Sequence, residues 1–320
     1  MVWRVEFNWK AEVYEIKSVR IPMLAALAMI AFAANSVIAR LALGNRGIDP
    51  GTFTFLRLVA GAIALVCIVL FSTRHDRRTL DSAGSWLSAT LLFTYAAAFS
   101  FAYLELGAAT GALILFAVVQ TVLFVVALGS GERPGIAGIA GLLLAVAGLV
   151  ALLGPGISRP DPIGASLMCI AGVSWAGYTL RGRGSDRPVL VTAGNFVRSV
   201  PLALVLWLLT FVLHRNVVHV GVKGVGLAIL SGAVTSALGY AIWYTVLPSL
   251  TRAQSGIIQM LPAPLATLGG LALLGEPITA KLLLASFLIL GGVLIGVLRR
   301  PARSSMNRCN QTNDKTPNNF

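Results

Sequence analysis

Charged residues cut this chain into long apolar runs. Nineteen residues separate Arg20 from Arg40 without an Asp, Glu, Lys or Arg, and 23 separate Asp81 from Glu105. The further gaps are 26 residues (Glu105 to Glu132), 25 (Arg133 to Arg159), 19 (Asp161 to Arg181), 28 (Lys223 to Arg252), 23 (Arg252 to Glu276) and 17 (Lys281 to Arg299). Two more runs, 50–73 and 188–213, are each broken by one charge, Arg57 and Arg198. A helix that crosses a bilayer needs about 17–25 apolar residues. Ten runs meet that length, so the pattern predicts an all-α membrane protein with ten transmembrane helices. Membrane-spanning strands would show alternating segments of about 10 residues, and none is seen.

The ends read differently. Trp3, Val5, Phe7 and Trp9 alternate with polar residues, a strand period with nothing to pair against. Residues 1–20 are therefore expected as a cytoplasmic tail lying on the membrane surface, although Met23, at the opening of the first run, is also a plausible start. Residues 299–320 are polar and Asn-rich, a composition that cannot bury enough apolar surface to fold.

The runs repeat. A shift of 141 residues sets Arg40 on Arg181, Phe55 on Phe196, Arg57 on Arg198, Tyr103 on Tyr244 and Thr110 on Thr251. After a three-residue insertion the shift is 144, and Glu132 meets Glu276 and Gly148 meets Gly292. Each half, 21–153 and 162–298, holds five runs. A unit with an odd number of crossings enters the membrane from opposite sides in its two copies, so the halves are predicted to be inverted. Inverted repeats place a solute site near the bilayer midplane, where the halves meet, and let them exchange inward and outward forms.

Composition supports the membrane reading. The chain is 57% hydrophobic and 12% charged, with mean hydropathy +0.82, against about 25% charged residues in soluble domains. The net charge of +13 suggests nucleic acid until it is mapped. Of 25 Lys and Arg, 17 fall on the tails and even-numbered connections and six on the other side. Positive residues mark the cytoplasmic side. Both termini are therefore expected inside a multi-pass protein of the cytoplasmic (inner) membrane, with the lipid bilayer and a small-molecule substrate as partners and no nucleic acid. Cys67, Cys169 and Cys309 show no disulfide or zinc spacing, and His75, His214 and His219 lie between runs. No cofactor, metal or catalytic cluster is expected, which disfavours a membrane enzyme. A sensor or scaffold would call for a longer soluble part than these tails of about 20 residues.

The doubled five-run unit, "FLRL" and "FVRS" in the second run of each half, and the closing "LLGEPITAKLLLASFLILGGVLIGVL" resemble the drug/metabolite transporter superfamily, EamA type. The resemblance covers roughly residues 21–298. It implies a secondary transporter exporting an amino-acid-like metabolite or another small organic solute. The first half departs from the family pattern with "GSGERP" and with a fourth run that lacks the prolines of the ninth.

Candidate pathway residues follow from polarity inside apolar runs. Arg57 and Arg198 sit at matching depths from opposite sides. A charge at mid-bilayer costs roughly 2.5–3.5 kcal/mol, so each either snorkels or bonds to carbonyls, or clamps an anion or gates the pathway. Asn35 and Trp175 lie near mid-span, where an unpaired amide or indole is costly. Tyr178, Tyr240 and Trp243 join them, with Gln120 and Gln259 in the paired fourth and ninth runs. Pro262 and Pro264 predict a kink that frees carbonyls. Glu132 and Glu276 are expected as hairpin residues between a Gly cap and a following Pro. Tyr103 and Tyr244 are expected as interfacial anchors. No acid lies deep in a run; Glu105 is the nearest to a proton carrier. Glycines in the fifth and tenth runs suit close helix packing, either as a pair within the chain or as the face of a homodimer.

Overall fold

The computed structural model describes residues 9–44, 47–72, 83–131, 135–153, 160–213 and 219–298. These residues are helical apart from short connections and one bridged pair, Ile48–Val220. The helices are α1 (Trp9–Leu43), α2 (Pro50–Ser72), α3 (Trp86–Ala102), α4 (Ala108–Gly129), α5 (Ile136–Leu153), α6 (Pro162–Gly182) and α7 (Pro188–Leu213). There follow α8 (Val222–Leu230), a π-helical segment (Ser231–Leu238), α9 (Gly239–Val246), α10 (Arg252–Ile258), α11 (Pro262–Leu274) and α12 (Ala280–Leu298). Six helical stretches are long and apolar enough to cross a membrane: 20–43, 50–71, 108–129, 162–182, 188–213 and 222–249. The remaining four runs carry shorter apolar helices.

Local chemistry sets the boundaries. Asp49 and Asp161 precede Pro50 and Pro162, and their carboxylates accept from Thr52 N (2.9 Å) and Gly164 N (2.7 Å). That is an N-cap followed by proline at the first helical position. Within the N-terminal segment, α1 begins at Trp9 and runs unbroken into the first apolar run. The residues from Lys10 to Arg20 contain no Gly or Pro and several good helix formers. The alternating Trp3, Val5 and Phe7 lie outside the described residues, as do Glu132 and the polar C-terminal tail.

Packing between the halves follows the repeat. α3 packs on α6, and the counterparts of α3, namely α8, the π segment and α9, pack on α1. α4 packs on α6, and α11 on α1; α2 packs on the π segment, and α7 on α3. Mates also pack on each other: α2 on α7, α4 on α10 and α11, α5 on α12. The α5–α12 contact closes at Gly148, where an added Cβ would stand 2.7 Å from Ile289 Cγ1 and 2.9 Å from Ala285 O. The fifth and tenth runs thus form a tight pair within one chain.

The two ends of the bundle are tied in different ways. Where α1 finishes, Arg40 Nη1 donates to the carbonyls of Tyr103 (3.0 Å) and Leu104 (3.1 Å), and its Nε lies 3.4 Å from Glu276 Oε1. Both Glu276 oxygens accept from Ala108 N, at 3.0 and 2.9 Å. Glu276 therefore departs from the predicted hairpin geometry. Gly275 makes the expected left-handed cap (φ 64°), but Pro277 does not open the next helix. α12 starts at Ala280, with Thr279 Oγ1 accepting from Leu282 N at 3.1 Å. The acid serves the N-terminus of a helix in the other half, where its charge meets the positive end of α4. At the opposite end, Arg183 donates to Ser255 Oγ (2.9 Å) and to the carbonyls of Leu250 and Thr251. Arg181 there donates to Ser88 Oγ at 2.9 Å.

Candidate functional site

The two arginines that the repeat equates have different surroundings. Arg198 is half-buried and donates to the carbonyls of Ala83 and Gly194, the latter at 3.1 Å. It braces the turn before α3 by capping carbonyls. Arg57 is 1% exposed and reaches neither an interface nor a carbonyl. Its Nε donates to Ser236 Oγ (3.1 Å), and its Nη2 to the hydroxyls of Tyr95 (3.2 Å) and Tyr240 (3.3 Å). Its guanidinium carbon stands 4.9 Å from the centre of the Phe99 ring and 5.3 Å from that of Tyr95. Nη1 has no partner, and among the described residues no carboxylate pairs with it.

The partners obey the repeat even though the arginines do not. Tyr95 and Ser236 are 141 residues apart, as are Phe99 and Tyr240. Each pair lies one helical turn from the other, on α3 and on its counterpart in the second half. Arg57 thus sits between two equivalent ladders. The second ladder runs through the π segment, whose wider turn is a frequent mark of functional sites.

On the far side of Tyr95 and Tyr240 from the guanidinium is a small, partly open cavity of about 10 Å³. Phe32, Ser36, Tyr95, Phe99, Leu115 and Phe116 line it from the first half, and Trp175 and Tyr240 from the second. The aromatic rings interlock at centre distances of 4.7 Å (Trp175–Tyr240), 5.1 Å (Tyr95–Trp175) and 5.4 Å (Phe32–Trp175). A second small cavity, of about 20 Å³, opens toward the Arg181 end, lined by Ser88, Tyr178, Arg181, Thr192, Asn195 and Tyr244 among others. Tyr178 lines this cavity and packs on Trp175 at 5.8 Å, so these two rings form the septum between the chambers.

The other sequence candidates fall in two groups. Trp175 belongs to the cavity wall, and its indole N–H donates to Gln259 Oε1 at 2.6 Å. Gln259 Nε2 in turn donates to Ser255 O at 3.1 Å. This pair sits where the ninth run breaks between α10 and α11, just before Pro262 and Pro264. Tyr178 accepts from Asn195 Nδ2 at 3.4 Å. Away from the cavity, Asn35 Oδ1 accepts from Ser231 Oγ (2.7 Å) and Thr235 Oγ1 (3.0 Å), holding α1 to the π segment. Gln120 packs over Gly256, and its Oε1 has no partner. Trp243 is fully buried against Phe32, with its N–H unpartnered.

Tyr103 and Tyr244 correct the sequence expectation. They are 0% and 2% exposed, packed against Phe99 and Tyr178 rather than at an interface. Both extend the ladders by one more turn, and glycines (Gly111 and Gly182) make room for their rings. Sequence reasoning missed Tyr95, Ser236, Phe99, Phe32 and Ser36. The signal was available for the first three, since the 141-residue shift places them in the rows that contain Tyr240 and Tyr103. Glu105 is exposed in the turn after α3, outside the cavity. No group of three His, Cys, Asp or Glu side chains comes together among the described residues.

Comparison with known proteins fits this architecture. Residues 20–154 and 162–298 each match the EamA-like transporter family. The chain is 44% identical over 283 residues to the uncharacterized protein PA1977 of Pseudomonas aeruginosa, covering 88% of this chain and 96% of that one. It is 30% identical over 192 residues to the threonine/homoserine exporter RhtA of Salmonella typhimurium, and 32% identical over 173 residues to RhtA of Escherichia coli K12. Those two matches span 60% and 54% of the RhtA chains. A solved crystal structure shares the fold at TM-score 0.60 and 22% identity, over 85% of this chain and 96% of its own.

Proposed function

The chain belongs to the EamA-like transporter family, and from that membership we propose that it is an inner-membrane exporter of a small organic solute, working by alternating access. Ten crossings in two inverted halves, with both termini in the cytoplasm, supply the frame. Three observations support it. Both halves match the same family, their contacts are exchanged pairwise, and Lys and Arg concentrate on one side. On this reading the Arg181 end faces the cytoplasm and the Arg40 end faces outward. The named relatives that are threonine/homoserine exporters support the outward direction and an amino-acid-sized load.

The observation that carries the proposal is the central cavity, walled by residues of both halves. A solute there touches both moving parts, so its binding energy acts on their relative position. That is the requirement for coupling binding to a change of access. Tyr178, beside Trp175, separates this chamber from the cytoplasmic vestibule.

The test is solute counterflow in liposomes containing the purified protein. Wild type should accumulate a labelled solute against a preloaded unlabelled pool. Trp175→Ala removes a wall of the cavity and frees Gln259, and should cut counterflow at least tenfold while the protein stays monodisperse. Solute binding without any flux in the wild type would instead identify a membrane sensor.

A further inference from the structure

Arg57 cannot shed its charge, because a guanidinium stays protonated in proteins. Among the described residues it has no carboxylate partner, and such burial costs several kcal/mol on the scale of uncompensated interior charges. The hydroxyls and ring faces around it lower that cost but do not cancel the charge. A ligand of opposite charge would.

The hydrogen-bond directions say how such a ligand is held. Arg57 Nη2 donates to both phenol oxygens, Tyr95 and Tyr240. Each phenol keeps one O–H hydrogen of its own to donate. At most one of these can go to the other phenol, so at least one remains for an acceptor in the cavity that both rings line. A phenol whose oxygen accepts from a guanidinium is polarised toward donating, which strengthens its bond to an anion. Apart from Ser36 the rest of the wall is apolar: Phe32, Phe99 and Trp175 offer ring faces, and no acidic side chain lines the chamber. An ammonium group would find no anion there.

We propose that Tyr95 and Tyr240, backed by Arg57, form a receptor for one carboxylate, and that the solute is a monoanion with a flat apolar body rather than a zwitterion. The assignment rests on the central cavity being the transport site. It departs from the loads of the named relatives, threonine and homoserine, because the phenols are backed by a fixed cation while no acidic side chain lines the chamber to pair with an ammonium group.

The test is a charge series on one ring system, read by quenching of tryptophan fluorescence in the purified wild-type protein. The probes are phenylacetate, phenylalanine, 2-phenylethanol and phenethylamine. Phenylacetate should bind at least tenfold more tightly than each of the others. The Tyr95→Phe, Tyr240→Phe double variant keeps the rings and should lose that tenfold preference while still binding 2-phenylethanol. Equal or tighter binding of phenylalanine by the wild type would overturn the proposal without needing any variant. Counterflow separates the two readings. Flux of threonine that depends on Trp175, with no preference for the acid, leaves the exporter and removes the carboxylate receptor. Selective binding of phenylacetate with no flux of any solute leaves the receptor and removes the exporter.

Discussion

Gly232→Val should abolish accumulation of folded protein. Gly232 lies in the π segment against α2, and a Cβ built there would stand 2.1 Å from Arg57 O and 2.9 Å from Arg57 C. Both are main-chain atoms of a helix, so neither can rotate aside. Gly61 faces the same contact, with its own added Cβ 2.5 Å from the Phe196 ring and 3.2 Å from Gly232 O. α2 is therefore held between α7 and the π segment with no slack on either side. Overpacking a tight core costs about 1–3 kcal/mol when side chains can yield, and more is expected where backbone must move. Small residues let membrane helices approach closely, and α2 meets the second half through this approach. Size-exclusion chromatography in detergent should show the monodisperse peak reduced to background, with Gly232→Ala intermediate. A variant peak and melting temperature equal to wild type would show that the helices sit farther apart than these distances.

Glu276→Gln should open the Arg40 end. The carboxylate links α1, the start of α4 and the approach to α12 through the Arg40 ion pair and the paired bonds from Ala108 N. Gly107 and Gly270 leave the space it occupies, since Cβ atoms there would stand 3.0 and 2.8 Å from its Oε2. Arg40 and Glu276 side chains are only 25% and 19% exposed, so the bonds are partly shielded from water. Charge-assisted bonds of this kind are worth about 2 kcal/mol net, which corresponds to a shift of roughly 30-fold in the balance of closed and open forms. The measurement is labelling of Ser36→Cys, on the cavity wall, by a membrane-impermeant maleimide added from outside, with the native cysteines replaced. Labelling should accelerate by about that factor in Glu276→Gln. An unchanged rate would mean that the Ile48–Val220 bridge and the bonds around it hold this end closed on their own.

Much of the architecture could be read from the chain because bilayer length and charge are coarse constraints. Ten apolar runs, their doubling and the break before Pro262 all leave marks in one dimension. The site was half legible. Arg57 stood out as a charge in an apolar run, but so did Arg198, and the repeat argued for treating them alike. What separates them is the neighbour each meets in three dimensions: carbonyls of a turn for Arg198, hydroxyls 38, 179 and 183 residues away for Arg57. Glu276 misled for a similar reason. Its Gly-Glu-Pro setting describes a hairpin fully, and nothing local shows that the carboxylate reaches a helix start 168 residues earlier. The tyrosines at 103 and 244 failed because distance from a run's end was read as depth. Glycines on facing helices make room for their rings, and a phenol near an end can still point inward.

The lone cation at the centre has an electrical consequence. A second positive charge approaching within 4 Å of Arg57 meets a repulsion of about 4 kcal/mol at an effective dielectric constant of 20. A fixed arginine excludes protons and metal cations from water-conducting pores by the same effect. An empty chamber next to this charge is therefore unfavourable ground for small cations. On the proposed alternating-access cycle, the unloaded form would return without letting the membrane's ion gradients leak through it.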